Sequence, residues 1–121
     1  MIVEVIAVGT ELLLGQIVNT NLTHIGGRIA DLGLDAHYQQ TVGDNLGRMK
    51  TAIRTALDRA DAVIITGGIG PTQDDITREA ISAATGREMA FSDDYAETLR
   101  ERYAQWGREM PVSNLRQAEY P

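Results

Sequence analysis

Residues 66–80 read Thr66-Gly67-Gly68-Ile69-Gly70-Pro71-Thr72-Gln73-Asp74-Asp75-Ile76-Thr77-Arg78-Glu79-Ala80, directly after the apolar run Ala62-Val63-Ile64-Ile65. A short apolar strand that breaks into closely spaced glycines and then a helical stretch is the pattern of a ligand loop in a parallel α/β sheet. Gly67, Gly68 and Gly70 let the backbone approach a ligand with its N–H groups turned outward, and the following helix adds unpaired amides and a positive dipole end. That is a cradle for phosphate. Asp74 and Asp75 then place two carboxylates where an anion should bind. A divalent cation resolves the conflict, because magnesium is typically held by one or two carboxylates plus the substrate phosphates. The loop has neither G-x-G-x-x-G spacing nor a Gly-Lys-Ser/Thr ending, which argues against hydride transfer and P-loop chemistry. The plain alternative is a tight turn in which glycine only relieves crowding.

Working outward, residues 2–8 are apolar except for Glu4 and suit a strand covered on both faces, ending at Gly9-Thr10-Glu11. Val18, Leu22, Ile25, Ile29 and Leu32 recur at helical spacing before Gly33. Residues 34–42 alternate as a half-exposed strand near a sheet edge, and Leu46, Met49, Ile53 and Leu57 form a second helical stripe with Asp44 in capping position. Residues 62–65 are expected to be a central buried strand. A third helix should start near Thr72 and end before Gly86, and a fourth follows Ser92 through Tyr95, Leu99, Tyr103 and Trp106. The last dozen residues show no clear periodicity.

This alternation predicts an α/β fold, a three-layer αβα sandwich on a mostly parallel sheet with right-handed crossovers, binding its ligand outside the carboxyl ends of the strands. Gly9-Thr10-Glu11, Val42-Gly43-Asp44 and the 67–75 loop all fall on that edge, so one cleft should collect them. The chain of 121 residues suffices for one domain with a real core. Seventeen acidic against eleven basic residues, a net charge of −6, leave counterion-release attraction to nucleic acid without a source. No stretch is apolar and long enough for a membrane span, and the absence of cysteine fits a reducing compartment, so the cytoplasm is the expected location.

Each candidate also has an ordinary structural reading. Asp75 lies three residues after Thr72, the spacing of a capping box with a shortened acid, and Asp44 reads equally as the N-cap of the second helix. Glu11 could bind ribose hydroxyls or a metal, or be an exposed loop residue; Asn19 and Asn21 read first as helix caps. His24 and His37 have no third partner at metal spacing and receive no role. Tyr95, Leu99, Tyr103 and Trp106 read as core or subunit packing in preference to a base-stacking platform.

Four motifs occur in order: Gly9-Thr10-Glu11-Leu12-Leu13-Leu14-Gly15 with Asn19-Thr20-Asn21, Val42-Gly43-Asp44, the 66–80 stretch, and Asn114-Leu115-Arg116-Gln117-Ala118. Across essentially its whole length the chain thereby resembles the N-terminal domain of the competence/damage-inducible protein A family, with its molybdopterin-binding, molybdenum-cofactor-biosynthesis-like fold. In molybdenum-cofactor enzymes of that fold the loop usually reads Thr-Gly-Gly-Thr-Gly, and aspartates matching Asp75 and Asp44 are tied to adenylyl transfer onto molybdopterin. Ile69 departs from that pattern. With Pro71-Thr72-Gln73-Asp74-Asp75 after it, the loop is similar to the competence/damage-inducible branch.

For that branch the resemblance implies a metal-dependent nucleotide pyrophosphatase, cleaving ADP-ribose to AMP and ribose 5-phosphate with magnesium, manganese or cobalt. Asp75, Asp74 and Asp44 would position metal and water; Gly9, Thr10, Glu11, Asn19, Asn21, Thr66, Gly67, Gly68, Ile69, Gly70, Pro71 and Thr72 would bind the ligand. The alternative is a molybdopterin-binding or adenylyl-transfer module, and a third option is a non-catalytic interaction domain. The resemblance further implies a homo-oligomer, a dimer or trimer. In resembling domains the Asn-x-x-Gln-Ala segment leads into another strand and a closing loop, so residues 1–121 are expected to be an incomplete domain. Nothing corresponds to the family's C-terminal nicotinamide-mononucleotide deamidase domain, whose activity is not expected.

Overall fold

The computed structural model describes residues 1–121. Strands β1 (Val3–Val8), β2 (Gln39–Val42) and β3 (Ala62–Thr66) form one sheet in the order β2-β1-β3, with both pairings parallel. A short helix α1 (Thr10–Leu13) and the longer α2 (Thr20–Asp31) separate the first two strands, and α3 (Leu46–Leu57) separates the second and third. Then follow α4 (Thr77–Thr85), a short strand β4 (Ala90–Phe91), α5 (Asp93–Gln105), a 3-10 segment (Val112–Ala118) and β5 (Glu119–Tyr120), which pairs antiparallel with β4. That last pairing ties the end of the chain to the entrance of α5.

β1 is buried along its whole length because its two faces meet different helices. Val3 and Val5 pack with Ile29 of α2, while Ile6 and Val8 pack with Met49, Ala52 and Ile53 of α3 and Ala80 of α4. In α3 the buried residues recur every three or four positions, which gives the helix one apolar face for the sheet. The result is the expected αβα sandwich on a parallel sheet. Glu4, 1% exposed within this apolar strand, is held bidentately by Arg59 (Nε to Oε2 2.8 Å, Nη2 to Oε1 2.7 Å) and by Gln40 Nε2 (2.7 Å). Arg59 in turn lies 3.7 Å over the Tyr38 ring. No helix is long and apolar enough to cross a membrane.

Several elements differ from the sequence reading. Within residues 1–121 β3 pairs only with β1, and Ile64 is 39% exposed, so the strand does not have the buried, two-sided position expected of it; an apolar run cannot distinguish the two. The half-exposed strand expected over 34–42 is reduced to Gln39–Val42 and an isolated Ile2–Asp35 bridge. Between that bridge and the Val5–Gln39 pair the offset grows by one residue, and this extra residue interrupts the ladder. α4 starts at Thr77 instead of near Thr72, because residues 67–76 are committed to the loop. Asn45 caps α3, its side chain accepting from the Arg48 amide at 3.0 Å, so Asp44 is free for another role. Ser92 does cap α5. Of the aromatic stripe only Leu99 is in the core, whereas Tyr95 and Trp106 are 43% and 66% exposed.

Candidate functional site

Parallel pairing puts the ends of β1, β2 and β3 on one edge, so the turns beginning at Gly9, Gly43 and Gly67 all leave the sheet there. The third turn is shaped by two glycines. Gly67 (φ +94°) and Gly68 (φ +66°) adopt backbone conformations that side chains resist, and a Cβ would strike the Val8 carbonyl at the first and the Thr77 hydroxyl at the second. The loop therefore lies directly on β1 and the start of α4.

Its carbonyls are spoken for. Thr77 donates from Oγ1 to Gly67 O (2.8 Å) and from its amide to Gly68 O (3.0 Å). Arg78, 8% exposed, donates to Ile69 O (2.5 Å) and Gly70 O (2.8 Å). Arg116, from the 3-10 segment, donates to the Thr72 carbonyl, to Asp75 O (3.0 Å) and to the Glu79 carboxylate. With the carbonyls turned inward, the Gly68 and Ile69 amides donate to no group of the chain.

The aspartates differ in their partners. Asp75 Oδ2 accepts from the Thr72 amide (2.9 Å) and hydroxyl (2.7 Å), closing a turn outside the helix with the bonding its capping-box spacing suggested. The Thr72 hydroxyl, more than the Thr72 and Gly70 amides and the Arg78 charge, holds the Asp75 carboxyl below its ordinary range against the opposing effect of burial. Asp74 is exposed and makes no hydrogen bond. Asp44 Oδ2 accepts from the Thr10 amide (3.2 Å) and hydroxyl (3.1 Å), while Thr10 Oγ1 accepts from the Asp44 amide (3.2 Å). Asp44 thus joins the loop after β2 to the one after β1.

Beside these loops lies a cavity of about 170 Å³ lined by Val8, Glu11, Leu12, Ile17, Val18, Asn19, Thr20, Asn21, Thr66 and Gly67. The Glu11 carboxylate folds over Gly9. Asn19 caps α2, Oδ1 accepting from the Leu22 amide at 3.0 Å, and this fixes its amide with Nδ2 buried and without a partner. Asn21 Nδ2 donates to Thr66 Oγ1 at 3.3 Å.

The structure therefore assembles Glu11, Asn19, Asn21, Thr66 and Gly67 around one cavity, and Pro71 lines a different one. Asp44, Asp74, Asp75, Ile69, Gly70 and Thr72 line neither. No three carboxylates or histidines converge to hold a metal, so the aspartates do not form a ready-made three-carboxylate centre. Sequence reasoning passed over Thr77, Arg78 and Arg116. The signal was there in a Thr-Arg-Glu run placed directly after a glycine loop whose carbonyls need donors, and in Arg116 within the last motif.

Residues 4–117 match the family described as "Probable molybdopterin binding domain". A Caldicellulosiruptor saccharolyticus protein bearing the name competence-damage inducible protein is 48% identical over 121 residues, all of this chain and 29% of the relative. A CinA-like protein of Frankia casuarinae is 48% identical over 98% of the chain and 28% of its own length. The chain thus spans less than a third of the curated relatives it matches. Among solved structures, the CinA protein of Thermoplasma acidophilum, described as of unknown function, superposes with a TM-score of 0.91 at 31% identity, over 100% of this chain and 71% of that one. The molybdopterin biosynthesis enzyme MoaB of Thermus thermophilus shares the fold, with a TM-score of 0.65 at 23% identity over 96% of this chain and 70% of that one. Fold, loop chemistry and the match over residues 4–117 agree: the chain belongs to the molybdopterin-binding domain family and is similar to its competence/damage-inducible members.

Proposed function

We propose that this domain binds a small phosphorylated pterin or nucleotide at the carboxyl edge of its sheet. The observation that carries the reading is a set of donors without acceptors, the Gly68 and Ile69 amides and the buried Asn19 Nδ2. Left unpaired, the buried Asn19 donor costs about 1–3 kcal/mol, which an incoming phosphate or carbonyl oxygen relieves. Glu11 and Asn21 add polar groups suited to sugar hydroxyls or a ring edge. Calorimetric titration with molybdopterin, AMP and ADP-ribose tests this. Asn19→Asp keeps the capping oxygen and replaces the orphan donor with an acceptor, so binding should weaken at least about tenfold with the melting temperature nearly unchanged. Unchanged affinity in that variant removes the cavity from the site.

A second reading, hydrolysis of ADP-ribose to AMP and ribose 5-phosphate, is favoured by the carboxylates flanking the loop. Asp75, held ionised and fixed by Thr72, lies against Gly70 of the same loop, and the unbonded Asp74 precedes it in the chain. A water oxygen would bond to one phosphorus as the bridging oxygen leaves, with a carboxylate orienting the water. Magnesium, manganese or cobalt, held by Asp75 or Asp44 together with phosphate oxygens, would neutralise charge on the pyrophosphate. AMP release from ADP-ribose with each metal, lost in Asp75→Asn, is the expected result. Binding without turnover under all three metals overturns the hydrolase and leaves the binding module, and failure of both favours an interaction domain.

A further inference from the structure

The glycine-rich loop walls two cavities. Thr66 and Gly67 line the one already described, whereas Pro71 lines a second, of about 360 Å³, between α5 and the 3-10 segment. That volume is at the lower end of the range for small-molecule pockets. Its wall is aromatic: Tyr95 and Tyr103 come from α5, and Trp106 follows at its end. Tyr103 and Trp106 meet edge to face, with centroids 5.4 Å apart and planes at 60°, so one ring props the other while the indole stays 66% exposed. An aromatic pair held at a fixed angle with one face left to solvent is a stacking surface.

The polar side of the cleft points to the kind of ring. Asn114, 7% exposed, donates through Nδ2 to the Tyr103 hydroxyl oxygen (2.9 Å) and to Gln117 Oε1 (3.3 Å). Those bonds fix both amides and leave Asn114 Oδ1 as an acceptor and Gln117 Nε2 as a donor, neither used within the chain. A donor and an acceptor among the residues lining an aromatic-walled cleft are the functions needed at the edge of a purine or pterin, which carries both. A protein side chain seated here would need the hydrophobic contact but not this paired edge.

We propose that this cleft stacks the planar heteroaromatic ring of the ligand, so that a two-ended molecule lies across the loop with its phosphates on the amides between the cavities. The inference rests on the reading that the domain binds a phosphorylated pterin or nucleotide. Gly67 and Pro71 are four residues apart, at most about 14 Å of chain, a span that a nucleoside diphosphate with a second sugar bridges.

Trp106 is the only tryptophan, so its fluorescence reports on this cleft alone. ADP-ribose and AMP should quench it, whereas inorganic pyrophosphate, which lacks a ring, should bind without quenching. Gln117→Ala should weaken ADP-ribose about tenfold and leave pyrophosphate unchanged, and Trp106→Ala, followed by calorimetry, should do the same. Full ADP-ribose affinity in both variants overturns the stacking site while leaving the proposed binding function standing. A shift in oligomeric state on Trp106→Ala with affinity unchanged overturns it in favour of a subunit contact. Absence of binding by ADP-ribose and pyrophosphate alike defeats the proposed function itself, and the stacking site with it.

Discussion

Gly67 shows how much of the loop depends on single atoms. Its φ of +94° and its contact with the Val8 carbonyl leave no room for a methyl group, so Gly67→Ala must distort either the loop or the end of β1. We expect a loss of about 2 kcal/mol or more, read as a lower urea midpoint with unchanged m-value. An equal midpoint in both proteins would show that the loop is free to move off the strand. Glycine density suggests a ligand loop, but the immediate reason for Gly67 is contact with a strand about sixty positions earlier in the chain. Asp44 illustrates the opposite case. Its position before a helix suggested a cap, yet its neighbour Asn45 takes that role, and only the approach of Thr10 across the sheet edge explains where Asp44 goes.

At the level of elements, the 3-10 segment acts as a strap on the glycine-rich loop. Arg116 reaches from it to the carbonyls of Thr72 and Asp75 and pairs with Glu79, whose other carboxylate oxygen is buried without a partner. Arg116→Ala removes all these bonds at once. Amide exchange at Asp75, whose N–H is bonded to the Thr72 carbonyl, should accelerate at least about tenfold, while amides of β1 keep their protection. Equal exchange at Asp75 in variant and parent would show that Asp75 and Thr72 close the turn unaided. The sequence reading found α2, α3 and α5 because each carries a periodic apolar face or a cap, and it misplaced the start of α4 because the loop borrows residues of helical character. Exposure of Tyr95 and Trp106 was equally hidden, since a periodic stripe looks the same whether a core or solvent lies opposite.

Across the whole molecule, the Glu4–Arg59–Gln40 cluster joins the central strand to its neighbour and to the end of α3. The hydrogen bond from Arg59, reinforced by Gln40 and the Arg59 charge, holds the Glu4 carboxyl below its ordinary 4.5 despite burial. A depressed carboxyl contributes stability that is complete above the unfolded value and is lost as pH falls through the folded value. Thermal stability should therefore drop as the pH is lowered beneath 4.5, and Glu4→Gln should show a shallower drop across that window. Parallel melting curves from pH 6 to pH 3 in the two proteins would exclude Glu4 as a contributor.

Strand-helix alternation, the polar turns at three strand ends and the family motifs are properties of local order along the chain, and these by themselves determined the fold class and the edge on which the polar loops gather. Only the tertiary structure decided that β1 lies between β2 and β3, that Asp44, Asp74 and Asp75 do not gather as a three-carboxylate group, and that Arg78 and Arg116 bind the loop carbonyls. The physical reason is one of range. Periodicity and turn chemistry act over a few residues, whereas strand order and the partners of buried polar groups are settled by long-range packing that brings residues such as Thr72 and Arg116 together.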